Sequence, residues 1–214
     1  MTDPVDRTRA AARIIWDNWQ AGTVIDRLPD DLAPTARAEG YAVQAHFEAF
    51  SGRPPVGWKI AATSTAGQNH INVSGPIAGR LLAERVFDAK TTLSFGANRM
   101  AVAEPEFAFR MGRDFAPRDG GYDQAEVMAG VAALHMGIEV PDSRFADFTA
   151  VGDAALIADN ACAHEFVLGP AMPDAWRSAD LAAHGVSIAV AGGPTHEGRG
   201  ANVLGDPRIA LTWL

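Results

Sequence analysis

The sequence lacks the features that mark secreted, membrane-spanning and nucleic-acid-binding proteins. Its 214 residues contain one cysteine, so no disulfide bond can form within the chain. It has no apolar run long enough to span a bilayer, and no basic-then-apolar segment that resembles a signal peptide. The formal net charge is −8 and there is no long Lys/Arg run, which argues against a nucleic-acid partner. We therefore predict a cytoplasmic protein that binds neither nucleic acid nor a membrane.

Signals of zinc, nucleotide and thiol chemistry are also weak. The six histidines show no metal-ligand spacing and there is no H-E-x-x-H motif, so a zinc site is not predicted. The stretch "GGPTHEGRG" lacks the strand–G-x-G-x-x-G–helix setting of a dinucleotide site and predicts the tip of a hairpin instead. Cys162 and His164 could form a thiol nucleophile with its base, but a packed cysteine is the better interpretation.

The patterns that are present favour an α+β fold. Residues 1–55 form a predicted helical N-terminal segment, in which the first helix is capped by Asp3 and carries an apolar stripe through Ile15 and Trp19. Residues 56–214 form a predicted β-rich core, which contains all of the candidate metal-binding and catalytic residues. Because helices gather early and do not alternate regularly with strands, a doubly wound sheet is not expected. Predicted strands lie at 56–63, 93–95, 100–111, 134–140, 165–168 and 186–190, with a helix at 123–134.

Two glutamates share one face of the strand predicted in "EPEFAFRM". Glu104 and Glu106 are separated by one residue, so their Cα atoms lie about 7 Å apart with both side chains on one side. In "LHMGIEV", Glu139 lies on the face opposite Leu134 and Ile138. Three clustered carboxylates would repel one another without a divalent cation, and all-oxygen ligation suits Mg²⁺ or Mn²⁺. The alternative, which the spacing alone favours, is that the pair coats the solvated face of an antiparallel strand.

Lys59 is the second candidate for chemistry. In "VGWKIAAT" it shares a strand face with Gly57, Ala61 and Thr63, which are all small, so its amine would extend into open space. A lysine beside a metal-bound anion can bind a carboxylate or transfer a proton. The alternative is a surface lysine that lies along the strand, which is the better interpretation of this residue by itself.

Several segments together resemble the 2-keto-4-pentenoate hydratase family of the fumarylacetoacetate hydrolase superfamily. The resemblance extends from the first helix to Leu214, and the motifs occur in the family's order and at similar spacing. The matching segments are "GWKIAATS", "AEPEFAFRMGRDF", "GIEVPDSRFADF", "IADNACAHEFVLG" and "LGDPRIALTWL".

The resemblance implies a fold, a site and a reaction. The fold would be a mixed β-roll core with a helical N-terminal part. Glu104, Glu106 and Glu139 would bind Mg²⁺ or Mn²⁺, Lys59 would lie close to the substrate as a catalytic and substrate-binding residue, and Asn160 would lie near the pocket as a substrate-binding residue. The reaction would add water to a 2-hydroxypenta-2,4-dienoate from aromatic catabolism, giving a 4-hydroxy-2-oxo acid. The same acids would also serve a 2-oxo-3-enedioate decarboxylase, which is the first alternative.

Two departures from the family pattern motivate a further alternative, a catalytically silent, metal-stabilised partner subunit. Many members carry an acid 18 residues after the lysine, where this chain has Ile77. Family members also continue beyond "ALTWL", so we expect the last core strands to be lacking, with an open sheet edge. A homo-oligomer is expected, and a complex with a related hydratase or decarboxylase would complete the fold.

Overall fold

The computed structural model describes residues 4–214, so the predicted helix cap at Asp3 lies outside the described part. Helices and strands are both well represented, in agreement with the predicted α+β class. The α-helices are α1 (Pro4–Ala21), α2 (Arg37–Ser51), α3 (Thr65–His70), α4 (Gln124–Ala129), α5 (Gly152–Ala158) and α6 (Pro207–Trp213). The strands are β1 (Gly57–Ala61), β2 (Ile77–Leu81), β3 (Val86–Asp88), β4 (Glu104–Met111), β5 (Val131–Val140), β6 (Glu165–Ala171), β7 (Gly185–Ala189) and β8 (Thr195–Arg199).

The strands form one larger sheet and two antiparallel pairs. The larger sheet has the order β3-β6-β5-β4, and the pairs are β1-β2 and β7-β8. The β7-β8 pair is a hairpin whose connection contains Gly192 and Gly193, as predicted, but the rest of the glycine-rich stretch, Thr195–Arg199, forms strand β8 and not the tip. Within residues 4–214, no helix is both long and apolar enough to cross a membrane.

The chain divides into two compact units that interleave along the sequence. The first comprises residues 4–87, 92–102 and 140–166, and the second comprises 88–91, 103–139 and 167–214. The predicted helical segment therefore belongs to a unit that also contains β1 and β2, and the predicted boundary at residue 55 stays a prediction.

The core of the first unit begins with the apolar stripe of α1. Ile15 and Trp19 are buried against Val43 and Phe47 of α2, and the Trp19 and Phe47 rings meet edge to face with centroids 5.9 Å apart. Burial of large aliphatic and aromatic side chains contributes about 1.5–3 kcal/mol for each. The apolar stripe of α1 therefore packs the two N-terminal helices against each other in the core.

The second unit is organised around the antiparallel β4-β5 pair. Phe107 pairs with Met136 and Phe109 pairs with Leu134, so both phenylalanines lie on the same face of the sheet. That face packs on Trp176 and Leu181, which are buried. Because successive residues alternate between faces, the glutamates of β4 lie on the opposite side.

One predicted strand is absent and two predicted elements are clearly longer than the observed ones. The strand predicted at 100–111 begins only at Glu104. Residues 93–95 do not form a strand, because this short run lacks the paired neighbour that a strand needs. The helix predicted at 123–134 ends at Ala129, with Gly130 at its C-terminal cap, and residues from Val131 onward belong to β5. Its start is as predicted, since Asp123 and Glu126 form a capping box. Pairing of Val131 with Met111 takes these residues from the helix, which is a tertiary effect.

Candidate functional site

The three predicted acids meet because β4 and β5 run antiparallel. Glu104 pairs directly with Glu139, and Glu106 pairs with Gly137, so all three carboxylates lie on one face. One oxygen from each lies within 4.8 Å of the others. Glu139 is 2% exposed, and the other two are partly buried. The structure therefore brings together the residues that the spacing and the resemblance selected.

This cluster does not look like the solvated face of a strand. A strand face that is merely wetted would expose its acids, whereas Glu139 is buried. Two like unit charges 4 Å apart repel by about 4 kcal/mol at an effective dielectric of 20, and burial increases the cost. An oxygen-ligated divalent cation would offset that repulsion, so the donor set suits Mg²⁺, Mn²⁺ or Ca²⁺.

The strand pair also explains the proline between the two glutamates. Pro105 has no backbone N–H to offer a neighbouring strand, and prolines within sheets are therefore confined to edges and bulges. Strand β4 is at one end of the order β3-β6-β5-β4, where that loss is tolerated. Fixed φ at Pro105 limits how far the backbone between the two acids can rotate.

Lys59 lies in the first unit, on strand β1 directly opposite Gly79 of β2. Its Nζ donates a hydrogen bond to the carbonyl oxygen of Ala161, at 2.9 Å. The side chain thus passes over a position that has no side chain of its own. The sequence predicted the small neighbours Gly57 and Ala61 along β1, and the structure adds Gly79 across the pair.

Asn160 opens a short left-handed turn in the same unit. Asn160, Ala161 and Cys162 have φ values of 57°, 51° and 61°. A left-handed conformation costs roughly 1–2 kcal/mol for a residue other than glycine, less for asparagine, so contacts around the turn must stabilise it. One such set belongs to Asn160 itself: its Oδ1 accepts from the Arg80 N–H at 2.7 Å, and its Nδ2 donates to the Arg80 carbonyl at 2.9 Å.

Burial of Asn160 bears on its predicted role. The residue is 0% exposed and both polar atoms of its carboxamide have backbone partners on β2. The expected substrate contact of Asn160 stays a prediction. Its observed contacts are with the strand that pairs with the Lys59 strand.

Ile77 occupies the position where the resemblance leads us to expect an acid. It is 0% exposed and lies in an apolar cluster with Leu156, Ile157 and Cys162. No carboxylate stands at this place on β2. Cys162 is 7% exposed in the same cluster, in agreement with a packed cysteine.

His164 is a partly buried, neutral histidine. Its Nδ1 accepts a hydrogen bond from Trp19 Nε1 at 2.7 Å. Burial, with help from the nearby Arg85 and Arg144 charges, lowers the pKa of His164 to about 4. The ring is therefore uncharged at pH 7, and its Nδ1 lone pair is occupied by the tryptophan.

The sequence analysis missed an ion pair in the core of the first unit. Arg144 is 2% exposed, and its guanidinium donates to the carboxylate of Asp159, which also accepts from the Ser143 hydroxyl. The nearby Asp147 does not take part, since its carboxylate accepts from the Thr149 hydroxyl. The missed partner, Asp159, adjoins Asn160 in "ADNA", and only the fold brings it to Arg144.

The first unit also contains a cavity of about 310 Å³ beside the end of α1. Its lining includes Trp19, Arg85, Asn98, Arg144 and His164, none of which is a predicted site residue. Several of these groups already have partners: Trp19 Nε1 donates to His164 Nδ1, Arg144 is paired with Asp159, and Asn98 Nδ2 donates to the Pro141 carbonyl. We assign no chemistry to this cavity.

Comparison with known proteins places the chain among hydratases. It is 30% identical over 207 residues to the 2-keto-4-pentenoate hydratase of Paraburkholderia xenovorans strain LB400, covering 95% of this chain and 76% of the relative. It is 27% identical over 205 residues to the 2-hydroxyhexa-2,4-dienoate hydratase of Comamonas testosteroni, covering 94% of this chain and 76% of that relative. No protein-family model matches.

Solved structures share the fold. The 4-oxalocrotonate decarboxylase of Pseudomonas putida G7, complexed with magnesium and adipate, has a TM-score of 0.78 at 22% identity, over 96% of this chain and 79% of that chain. The same decarboxylase complexed with calcium and acetate has a TM-score of 0.77.

The relatives define an enzyme of the hydratase class. Within it, the chain belongs to the 2-keto-4-pentenoate hydratase family, since 30% identity extends over 95% of its length. The relatives are named as hydratases, so the enzyme class is that of the hydro-lyases.

Proposed function

We propose that the chain is a divalent-metal-dependent hydratase that acts on 2-hydroxypenta-2,4-dienoate-type acids in aromatic catabolism. The observation that carries this proposal is the convergence of three carboxylates within 4.8 Å, one of them 2% exposed. The relatives named as 2-keto-4-pentenoate hydratase and 2-hydroxyhexa-2,4-dienoate hydratase support the substrate class.

The proposed cofactor is Mg²⁺ or Mn²⁺, held by Glu104, Glu106 and Glu139. Hard carboxylate oxygens suit these ions, whereas zinc sites favour nitrogen and sulfur ligands. The fold neighbour complexed with magnesium and, separately, with calcium supports an oxygen-ligated ion. When bound, such an ion supplies Lewis-acid stabilisation of negative charge on the substrate.

We assign the proton chemistry to Lys59. The dienol loses its enol O–H proton and gains a proton at the terminal carbon, which gives an α,β-unsaturated ketone. Water then adds across the remaining C=C bond, with its hydroxyl on the carbon β to the ketone and its hydrogen on the α carbon. The Lys59 ammonium carries a positive charge that can offset the substrate's carboxylate and a proton that can be transferred. Its hydrogen bond to Ala161 restricts the directions of its remaining N–H bonds.

The buried side chain of Ile77 limits which residues can move protons. A saturated hydrocarbon cannot hold a proton, and Ile77 is 0% exposed. In the proposed mechanism the role that an acid would have here falls to Lys59 or to a water molecule. Asn160, whose carboxamide is bound to Arg80, is kept as a proposed substrate-binding residue near the pocket.

The direct test is loss of dienol ultraviolet absorbance by the purified protein with Mg²⁺, with Mn²⁺ and with chelator. We expect Glu139→Gln to abolish metal-dependent turnover. The matched control is Glu197→Gln, which changes an exposed glutamate on β8 of the same unit. Turnover that continues unchanged in chelator would rule out the metal-dependent mechanism.

A 2-oxo-3-enedioate decarboxylase is the second candidate. The fold neighbour with a TM-score of 0.78 is named as a 4-oxalocrotonate decarboxylase, and the three acids suit either reaction. Release of CO₂ from a 2-oxo-3-enedioate, without hydration of the dienoate, would favour it.

A catalytically silent, metal-stabilised partner subunit is the third candidate, and it rests on Ile77. It requires Mg²⁺ to stabilise the fold while neither substrate turns over, and a stable complex with an active relative.

We also propose the mixed β-roll of the family for the sheet and a homo-oligomeric assembly. Size-exclusion chromatography with light scattering measures the latter.

A further inference from the structure

The outer edge of β2 is covered by side chains instead of by a third strand. Ala78 donates its N–H to Tyr41 Oη at 3.1 Å, and its carbonyl accepts from Gln44 Nε2 at 2.9 Å. Two residues further along, the carboxamide of Asn160 binds both the N–H and the carbonyl of Arg80. Exposed strand edges invite pairing, so this edge is protected.

Asn160 differs from Tyr41 and Gln44 because it belongs to the turn that contains the hydrogen-bond acceptor of Lys59. Tyr41 and Gln44 belong to helix α2, and their hydrogen bonds hold β2 to that helix. Asn160 instead opens the left-handed turn whose next residue, Ala161, accepts the hydrogen bond from Lys59 Nζ. Asn160 therefore links the Ala161 carbonyl, which accepts from the Lys59 ammonium, to strand β2.

Gly79 shows how closely the turn is placed against β2. A Cβ at Gly79 would lie 2.2 Å from the carbonyl oxygen of Asn160, which no side chain could tolerate without a shift. Gly79 is the residue directly opposite Lys59. The turn therefore lies on the sheet face that Lys59 crosses, with the Ala161 carbonyl in reach of the ammonium.

We propose that Asn160 is a positioning residue for Lys59: its carboxamide holds the 160–162 turn on β2, and the turn presents the Ala161 carbonyl that orients the ammonium. The catalytic consequence rests on the proposed function, but the orientation of Lys59 does not. Asparagine suits this place because it accepts a left-handed backbone and can pair with both polar groups of one residue.

The alternative is that Asn160 only supports the fold, as any buried amide on this edge would. Gln44 is the matched control for that alternative. It is also 0% exposed, also binds the edge of β2, and also has a second partner, the Ile157 carbonyl. If support of the fold is all that matters, Gln44→Met and Asn160→Ala should affect Lys59 equally.

The chain offers a clean way to observe Lys59. Its sequence has two lysines, Lys59 and the exposed Lys90, so an NMR spectrum of protein labelled with ¹³C at lysine Cε shows two Cε signals, assigned with Lys90→Arg. A side chain held in one orientation gives two distinct Hε shifts, whereas a freely rotating one gives a single averaged shift. We expect distinct Hε shifts for Lys59 in the wild type and in Gln44→Met.

We expect averaged Hε shifts for Lys59 in Asn160→Ala and in Asn160→Gly. The glycine variant accepts the left-handed backbone without strain, so it tests the carboxamide even if the alanine variant fails to fold. With the active enzyme, both should lower kcat by about 10- to 100-fold with little change in KM, because a misplaced catalytic group slows the reaction more than it weakens binding.

Three outcomes would overturn the proposal: averaged Lys59 shifts in the wild type, distinct shifts retained in both Asn160 variants, or equal averaging in Gln44→Met. A wild-type protein that turns over neither substrate would end the proposed function but leave the NMR comparison intact. Conversely, Lys59-dependent turnover with unchanged shifts in the Asn160 variants would end this proposal and leave the function standing.

Discussion

Glu104 and Glu139 face each other across the β4-β5 pair, although helix α4 lies between them in the chain. Paired residues on neighbouring antiparallel strands have Cβ atoms about 4.5–5.5 Å apart, so two acids are forced together here. Glu106, two residues along β4, completes the cluster. The stability of the sheet should therefore depend on whether a cation lies among the three carboxylates.

The first prediction concerns stability without and with metal. Glu139→Gln should raise the melting temperature of the metal-free protein relative to wild type, because one of three repelling charges is removed. It should also remove the rise in melting temperature that Mg²⁺ gives to the wild type, since one ligand is weakened. Thermal unfolding with Mg²⁺ and with chelator measures both effects.

The control for this prediction is Glu197→Gln on β8, which should keep the Mg²⁺-dependent rise. An equal Mg²⁺ response in the Glu139→Gln and wild-type proteins would contradict metal binding by this cluster.

The second prediction concerns the close approach at Gly79. Gly79→Ala should destabilise the protein by about 1–3 kcal/mol, because the new Cβ would lie 2.2 Å from the Asn160 carbonyl oxygen. Gly57→Ala on the paired strand is the control, since its Cβ would meet only Leu81 Cδ1, at 3.5 Å. Chemical denaturation gives both free energies of unfolding. Equal values for the two variants would show that the turn can move away from β2.

The third prediction concerns Ile77. Ile77→Val should lower the free energy of unfolding by about 0.5–1.5 kcal/mol, as expected for one methylene removed from a core. Ile77→Asp should cost more, because it buries a carboxylate among Leu156, Ile157 and Cys162. Denaturant titration of both variants measures this order. Equal losses in free energy of unfolding for Ile77→Asp and Ile77→Val would show that this position can accommodate an acid.

The fourth prediction concerns pH. Because the pKa of His164 is lowered to about 4, the folded protein binds fewer protons than the unfolded chain between pH 4 and 6.5. Its contribution to stability is therefore complete above about pH 6.5 and is lost as the pH falls towards 4. After allowance for partial solvent screening we expect about 2 kcal/mol.

Replacement of the histidine tests this contribution. His164→Gln should flatten the fall in stability between pH 6.5 and 4, whereas His196→Gln, at an exposed position of the β7-β8 hairpin, should not. Identical pH profiles for the wild type and His164→Gln would show that another group causes the loss.

Local patterns predicted the parts of the fold that depend on local physics. The stripe through Ile15 and Trp19, the capping box of Asp123 and Glu126, and the shared face of Glu104 and Glu106 follow from periodicity and end effects. The over-long helix shows the limit. No local sequence signal predicts that Val131 belongs to a strand, because its pairing partner Met111 is on another strand.

The candidate site was predictable in its members but not in its geometry. Alternation places Glu139 on one strand face, but only the pairing register sets it opposite Glu104. Likewise, the resemblance pointed to Asn160, but not to its two bonds with Arg80. Contacts between residues distant in sequence carry this information.

The most direct test of the central claim is an anomalous difference map from a crystal of the protein grown with Mn²⁺. The account predicts one strong peak among the carboxylates of Glu104, Glu106 and Glu139, within coordination distance of an oxygen from each. A map with no peak there, in a protein that still hydrates the dienoate, would contradict it.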